Sequence, residues 1–229
     1  YIMSKILTDL LFSFLLLLVF LPVLLIVLPI VSILTKDNPI FTQDRKLTLD
    51  KKNIKIWKIR TIKENANFKQ LEKSTNEIFN KPGFEKYVPA FCKWLRQSGI
   101  DEIPQLINVL KGDLSLVGPR PMIEKDLLIM KEKKPAIYKK RMRLNSKPGI
   151  TGYWQLFGNR TKGYENLVAM DTFYEHNKSF ILDMKIILKT IVVMLGAKHS
   201  DSIVNSTLVA ANKKVEKKFL EVSFEQIQC

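Results

Sequence analysis

Cysteine and histidine are nearly missing from this chain. Of 229 residues, two are cysteine (Cys92 and Cys229) and two are histidine (His176 and His199). That excludes a disulfide framework and any paired CxxC zinc site. With no HExxH present, a histidine-built metal centre is not expected either. The chain also has no GxxxxGKS/T loop and no GxGxxG turn, so neither of the nucleotide folds that cradle phosphates in those loops is present. It carries no zinc-finger, RNP-like or helix-turn-helix signature, which argues against nucleic acid as a partner. Internal repeats are absent.

What is present is apolar surface and positive charge. Hydrophobic residues make up 46% of the chain, too many for a disordered one. Lys and Arg number 37 against 22 Asp and Glu, a net charge of +15. A surplus of that size implies an anionic partner, such as acidic lipid head groups or phosphorylated small molecules. The length suits one domain plus an anchor.

The apolar residues are concentrated at the start. From Leu10 to Thr35 the sequence LLFSFLLLLVFLPVLLIVLPIVSILT carries no charge, and about 20 such residues cross a bilayer core as a helix. A buried helix of a soluble domain would be shorter and striped with polar residues. A signal peptide would have a shorter apolar core and a small-residue cleavage site. Pro22 lies near the middle of the run and Pro29 follows. Pro22 has no N–H for the carbonyl of Leu18, which predicts a break there. Basic residues flank both sides: Lys5 before, and Lys36, Arg45, Lys46, Lys51 and Lys52 after. If positive charge stays cytoplasmic, a re-entrant helix satisfies both flanks. A kinked spanning helix remains the alternative on these grounds.

Beyond the anchor, Ile40–Gln43 and Ile54–Ile59 flank a polar turn and predict a β-hairpin. Residues 63–86 are polar, with KPG at 81–83, and read as helix and loop or as a mobile segment. Helices are expected over 87–97 and 101–111, the first stopping at Ser98-Gly99 and the second at Gly112. A short strand over Leu114–Val117 leads into GPRP at 118–121. The stretch 122–143 reads as helix with a break at Pro135, and it is dense in base: Lys131, Lys133, Lys134, Lys139, Lys140, Arg141 and Arg143. A final helix over 178–197 repeats Phe180, Ile181, Met184, Ile187, Ile191 and Met194 at helical spacing, with Lys185 and Lys189 opposite. Basic amphipathic helices beside a membrane anchor are expected to lie on anionic lipid.

The sharpest block is LRQSGIDEIPQLINVLKGDLSLVGPRP, residues 95–121. Asp101 and Glu102 fall in the first turn of the expected helix, where the dipole keeps carboxylates ionised. An acidic first turn is also common in ordinary stable helices. Here, however, Arg96 lies five residues upstream across a glycine turn, and Arg120 sits between two prolines, a stiff setting for a fork that binds phosphate or carboxylate. An Asp–Glu pair can hold Mg²⁺ jointly with substrate phosphates. Carboxylates, arginines and a divalent ion together describe phosphoryl chemistry on a diphosphate. A glycosidase fits poorly, because neighbouring residues on a helix diverge by about 100° and cannot face each other across a sugar.

This block, followed by KPGITGYWQ at 147–155, resembles the bacterial sugar transferases. These are the monotopic polyprenyl-phosphate phosphoglycosyl transferases that begin glycan assembly at the inner membrane. The resemblance runs from about Lys5 to Ile191 and takes in IFTQDR (40–45), KIWKIRT (55–61) and MDTFYEHNKSFILDMKIILKT (170–190). It implies a helix-rich α+β fold, within the α/β class, with a re-entrant membrane anchor over 1–36. A cytoplasmic catalytic domain would follow over 37–199 and a tail of unassigned role over 200–229. It implies a UDP-sugar donor, a polyprenyl phosphate acceptor, Mg²⁺ as cofactor, and residence on the cytoplasmic face of the bacterial inner membrane. Asp101 matches the nucleophile and Glu102 its partner acid, both as metal ligands. Arg96, Arg120, Lys58 and Arg60 match basic positions around the diphosphates. Gln155, Arg160 and Asp171 match further substrate-side positions, and Tyr174 matches a late family position. Three positions depart from the family pattern. Leu21-Pro22 stands for Ser-Pro at the helix break, and Lys147 gives the lysine form of the PGITG motif. FGNR, with Asn159 and Arg160, stands for NGRN or SGRN. A non-catalytic, basic, membrane-docked scaffold of a glycan-assembly complex would need the charge and the apolar run but not the Asp101–Glu102 pair.

Overall fold

A computed structural model describes residues 1–63, 87–159 and 162–196. The expected helix and loop over 64–86, Arg160, and the tail over 200–229 lie outside the described residues.

The long apolar run forms helix α1, Ile2–Thr35, unbroken through Pro22 and Pro29. This corrects the break expected at Pro22. A proline removes one backbone bond and crowds one turn, but Phe20, Val23, Leu24 and Val27 on either side pack against the rest of the protein and hold the flanking turns. One stripe faces inward along the whole helix: Ser13, Leu24, Val27, Val31 and Thr35 are buried, with Leu16, Leu17 and Phe20 partly so. The opposite face, including Leu7, Phe14, Leu18, Leu21, Leu25 and Ile33, is exposed. At 1.5 Å per residue the helix is about 50 Å long, and it is long and apolar enough to cross a membrane.

Both ends of α1 are attached to the same body. Near the N-terminus, Lys5 forms an ion pair with Asp183 at 2.8 Å, and Asp9 accepts from the Ser115 hydroxyl at 2.7 Å and the Leu116 amide at 3.2 Å. Near the C-terminus, Val31 and Thr35 are fully enclosed. Lys36, in the left-handed region at φ 60°, ends the helix and returns its N–H to Ser32.

The expected hairpin follows. Strands β1 (Ile40–Arg45) and β2 (Ile54–Ile59) pair antiparallel, with Phe41 opposite Lys58, Gln43 opposite Ile56 and Arg45 opposite Ile54. These six residues share one face of the ribbon, since directly opposed residues point the same way. Helix α2 (Ala90–Ser98) ends at Gly99, whose φ of 73° lies where a side chain would be strained. A 3₁₀ turn (Ile100–Glu102) and helix α3 (Gln105–Leu110) come next. The single helix expected over 101–111 is thus divided. Pro104 has no N–H to offer the Ile100 carbonyl, which accepts instead from Ile103 at 3.1 Å, three residues on. Buried Asn108 on α3 accepts from the Trp57 amide and donates to the Lys55 carbonyl, satisfying the outer edge of β2.

Strand β3 (Ser115–Val117) pairs in parallel with β4 (Gly149–Thr151). Between them lie α4 (Glu124–Lys133) and α5 (Pro135–Arg141), divided at Pro135 as expected. The chain then forms α6 (Tyr153–Phe157), α7 (Gly163–Asn177) and α8 (Phe180–Leu195). One apolar core joins the α1 stripe, the hairpin, α2, α3, β3 and Ile186 of α8. A second, around Leu127, Met130, Tyr138, Trp154 and Leu167, lies under α4 to α7.

On α8, Asp183 and Ile186 are buried and Leu182, Ile187 and Met194 pack partly against the core, while Phe180, Ile181 and Ile191 of the apolar stripe are exposed with Leu188, Val192 and Leu195. One expectation about the basic face changes. In the basic stretch, Arg141 is fully buried, so it belongs to the interior and not to a lipid-facing surface.

Asp183 closes the attachment of α1, accepting from Lys5 and from the Tyr174 hydroxyl, each at 2.8 Å. Asp183→Ala leaves Lys5 unpaired and is expected to cost on the order of 2 kcal/mol, read as a lowered unfolding midpoint of detergent-solubilised protein.

Candidate active site

An open cleft, about 270 Å³ when the space open to solvent is counted, lies between the hairpin, the 3₁₀ turn and the loops that end β3 and begin β4. Its walls are Arg45, Ile56, Lys58, Glu102, Gln105, Arg120, Pro121, Gly149, Ile150 and Gln155. Three cations thus face one carboxylate, a field that favours an anion.

The hairpin register explains the first wall. Arg45, Ile56 and Lys58 lie on the shared face of β1 and β2. Lys58 forms an ion pair with Glu102, both side chains being mostly enclosed. Gln105 stands three residues after Glu102, in the first turn of α3. The opposite wall depends on close backbone approach. A Cβ on Gly118 would lie 2.2 Å from the Lys147 carbonyl, and one on Gly149 would lie 2.1 Å from the Gly118 amide. Only glycine lets the GPRP and KPGITG segments meet. Arg120 then reaches the cleft with its guanidinium 5.2 Å from the Trp154 ring centre, a cation–π contact that orients the fork.

The sequence-predicted residues divide accordingly. Glu102, Lys58, Arg120 and Gln155 line the cleft. Asp101 precedes Glu102 on the same 3₁₀ turn, is 7% exposed and is not one of the lining residues. The acid pair therefore sits on a 3₁₀ turn and not in the first turn of a long helix. Arg96 donates to the Thr61 hydroxyl at 3.0 Å and stays behind the wall, and the Cys92 thiol, pushed up by burial, feels both Arg96 and Asp101. Arg60 is turned away, donating to the Asn38 carbonyl at 2.8 Å and pairing with Asp37 at 2.9 Å beyond the end of α1. Asp171 is fully buried and paired with Arg141 at 2.9 Å, so it does not reach the cleft. Burial pushes its carboxyl up to about 6, against the pull of Arg141. Arg160 lies outside the described residues.

Of the wall residues with polar side chains, two were missed in the sequence, Arg45 and Gln105. The first could have been found from two-residue alternation with Gln43 in IFTQDR, and the second from its i, i+3 relation to Glu102.

Among the described residues no group of three or more His, Cys, Asp or Glu is placed to hold a metal. The donor set on the 3₁₀ turn is two adjacent carboxylates. That is too few for a protein cage, but it fits a Mg²⁺ that completes its shell with substrate phosphates and water.

A sequence profile described as bacterial sugar transferase matches residues 1–197. The exopolysaccharide production protein ExoY of Sinorhizobium fredii is 33% identical over 165 residues, 66% of this chain and 68% of that protein. A UDP-glucose:undecaprenyl-phosphate glucose-1-phosphate transferase of Klebsiella pneumoniae is 34% identical over 194 residues, 82% of this chain but 39% of its own length. An undecaprenyl-phosphate galactose phosphotransferase of Salmonella typhimurium is 38% identical over 108 residues, 47% of this chain and 21% of that protein.

Gly149→Ala is expected to separate the two loops and to cost about 3 kcal/mol or more. Thermal unfolding of purified Gly149→Ala beside Gly112→Ala measures this. At Gly112, where the nearest atom to a new Cβ is a lysine tip 3.6 Å away, the strain of its positive φ is expected to cost only about 1 kcal/mol.

Proposed function

This chain belongs to the bacterial sugar transferase family, and on that premise we propose that it moves a sugar-1-phosphate from a UDP-sugar to a polyprenyl phosphate such as undecaprenyl phosphate. The observation that carries the reading is the cleft in which Arg45, Lys58 and Arg120 surround Glu102, next to Asp101. Three cations around a carboxylate suit a substrate with two phosphates, and two relatives bear names that specify undecaprenyl phosphate.

In the proposed course, a carboxylate oxygen of Asp101 attacks the phosphorus that bears the sugar. The bond from that phosphorus to the bridging oxygen breaks and UMP leaves, taking the bond's electron pair. An aspartyl phosphosugar remains. An oxygen of the polyprenyl phosphate then attacks the same phosphorus, the acyl phosphate bond breaks, and the Asp101 carboxylate is regenerated with a polyprenyl diphosphate sugar as product. Splitting one displacement into two lowers each barrier. Arg45, Lys58 and Arg120 hold the diphosphate and stabilise charge developing on its oxygens. Lys58, paired with Glu102, would exchange that partner for a substrate phosphate oxygen. Mg²⁺ bound by Asp101 and Glu102 would neutralise phosphate charge in the same place.

The proposed seating in the membrane is supported by α1, which contacts one body at Lys5 and Asp9 and again at Val31 and Thr35. In this reading both ends lie on the same face of the bilayer, the bare apolar side enters the lipid, and the catalytic body is on the cytoplasmic face. The basic helices and the outward apolar residues of α8 would rest on anionic lipid.

Asp101→Asn is expected to lower UMP release from UDP-sugars by on the order of 10³-fold or more and to carry no phosphosugar adduct in trapped, digested protein. An adduct on Glu102 instead would exchange the two roles, and undiminished turnover would sink the covalent route in favour of the scaffold reading. EDTA is expected to stop UMP release by the wild type, and added MgCl₂ to restore it. Activity that persists in EDTA would remove the metal from the account.

A further inference from the structure

Arg141 does not touch the cleft, yet two of the cleft's arginines are held through it. In the sequence it is one of seven bases between 131 and 143, with nothing to separate it from its neighbours. In the structure it is fully buried, and each guanidinium nitrogen has a separate acceptor. Nε donates to the Leu47 carbonyl at 2.8 Å, Nη1 to the Asp171 carboxylate at 2.9 Å and Nη2 to the Arg120 carbonyl at 2.6 Å. Asp171, buried as deeply, also accepts from the Arg120 amide at 3.3 Å. The Arg120 backbone is therefore gripped on both sides of its Cα, at its N–H and at its C=O, by the two halves of one ion pair.

The same pair fixes the neighbouring wall. Lys46 and Met122 form an isolated antiparallel bridge with two reciprocal bonds of 2.8 Å. The segments 45–47 and 120–122 are thereby zipped together, and Arg141 ties the far side of the seam through Leu47 and Arg120. Arg45 and Arg120 emerge from the two sides of that seam into the cleft. Their side chains are oriented as well, Arg45 by two bonds to the Gln43 side-chain oxygen at 3.1 and 2.7 Å and Arg120 by the Trp154 ring.

We propose that Arg141, together with Asp171, is a positioning residue that presets Arg45 and Arg120 as a paired receptor for the donor's diphosphate. This rests on the donor reading given above. Arg45 and Arg120 enter the cleft from two segments that meet at this seam, so their spacing holds only if the backbone beneath them resists spreading. Only a planar fork with donors in three directions serves that seam. A lysine keeps the charge beside Asp171 but cannot reach both carbonyls.

The test uses the full chain in nanodiscs, with UDP and Mg²⁺ as the probe in calorimetry. Arg141→Lys is expected to weaken UDP binding at least about tenfold with the folded signal retained. In an Arg45→Ala/Arg120→Ala background the same change is expected to add less than about twofold, because both groups through which Arg141 acts are gone. Wild-type affinity in Arg141→Lys overturns the proposal, and so does an additive cycle, which would mark a merely structural residue. If Arg141→Lys does not fold, hydrogen exchange of the wild type decides. The Lys46, Arg120 and Met122 amides should be protected before UDP is added, and protection that appears only with UDP overturns the preset. Failure of the wild type to bind UDP overturns the donor reading itself. Binding by the wild type that Arg141→Lys leaves intact overturns this proposal alone.

Discussion

The attachment of a wholly apolar helix to a small charged body, along one stripe and at both ends, is the constraint on which the remaining structure depends. The stripe from Ser13 to Thr35 supplies Leu24, Val27 and Val31 to the main core, and each such side chain is worth roughly 1.5–3 kcal/mol when removed from water. The polar residues of the first turns, Lys5 and Asp9, are used on the body and not on solvent. With the helix fixed in this way, β1 must start within a few residues of its C-terminal end, and Arg45 at the far end of β1 reaches the cleft.

Electrostatics then divides the charged residues among three jobs. Arg45, Lys58 and Arg120 face an open cleft, where a bound anion can use them. Arg141 and Asp171 are sealed away, where each compensates the other's loss of water. Arg60 and Arg96 take a third part, tying the end of α1 and the end of the hairpin to their neighbours. A net charge of +15 describes none of these separately, because it sums over groups whose surroundings differ.

Much of the fold was legible because it is written in short-range chemistry. The hairpin followed from two β-prone stretches, 40–43 and 54–59, flanking a polar turn, the division of the basic stretch from Pro135, and the end of α2 from Gly99. The acid pair and GPRP were legible as a block. What was not legible concerned competition between local rules and packing. Pro22 signals a break, but neighbours packed on both sides keep the helix intact. Pro104 was compatible with a first turn, but the carbonyl it cannot serve turned that stretch into a 3₁₀ segment. On α8 part of the apolar stripe is exposed and part packs on the core, because a helix that is apolar on most sides does not specify its own rotation.

The sequence by itself determined the elements whose causes lie within a few residues: the apolar anchor, the hairpin, the glycine and proline punctuation, and the acid pair beside an arginine-bearing GPRP loop. Tertiary structure decided which cations share a cavity and which are buried, and which side of α1 is bare. Those outcomes depend on segments distant in sequence, such as 47, 120, 141 and 171, meeting in space. No local propensity or spacing records whether a given guanidinium ends in water, against a substrate, or inside the core.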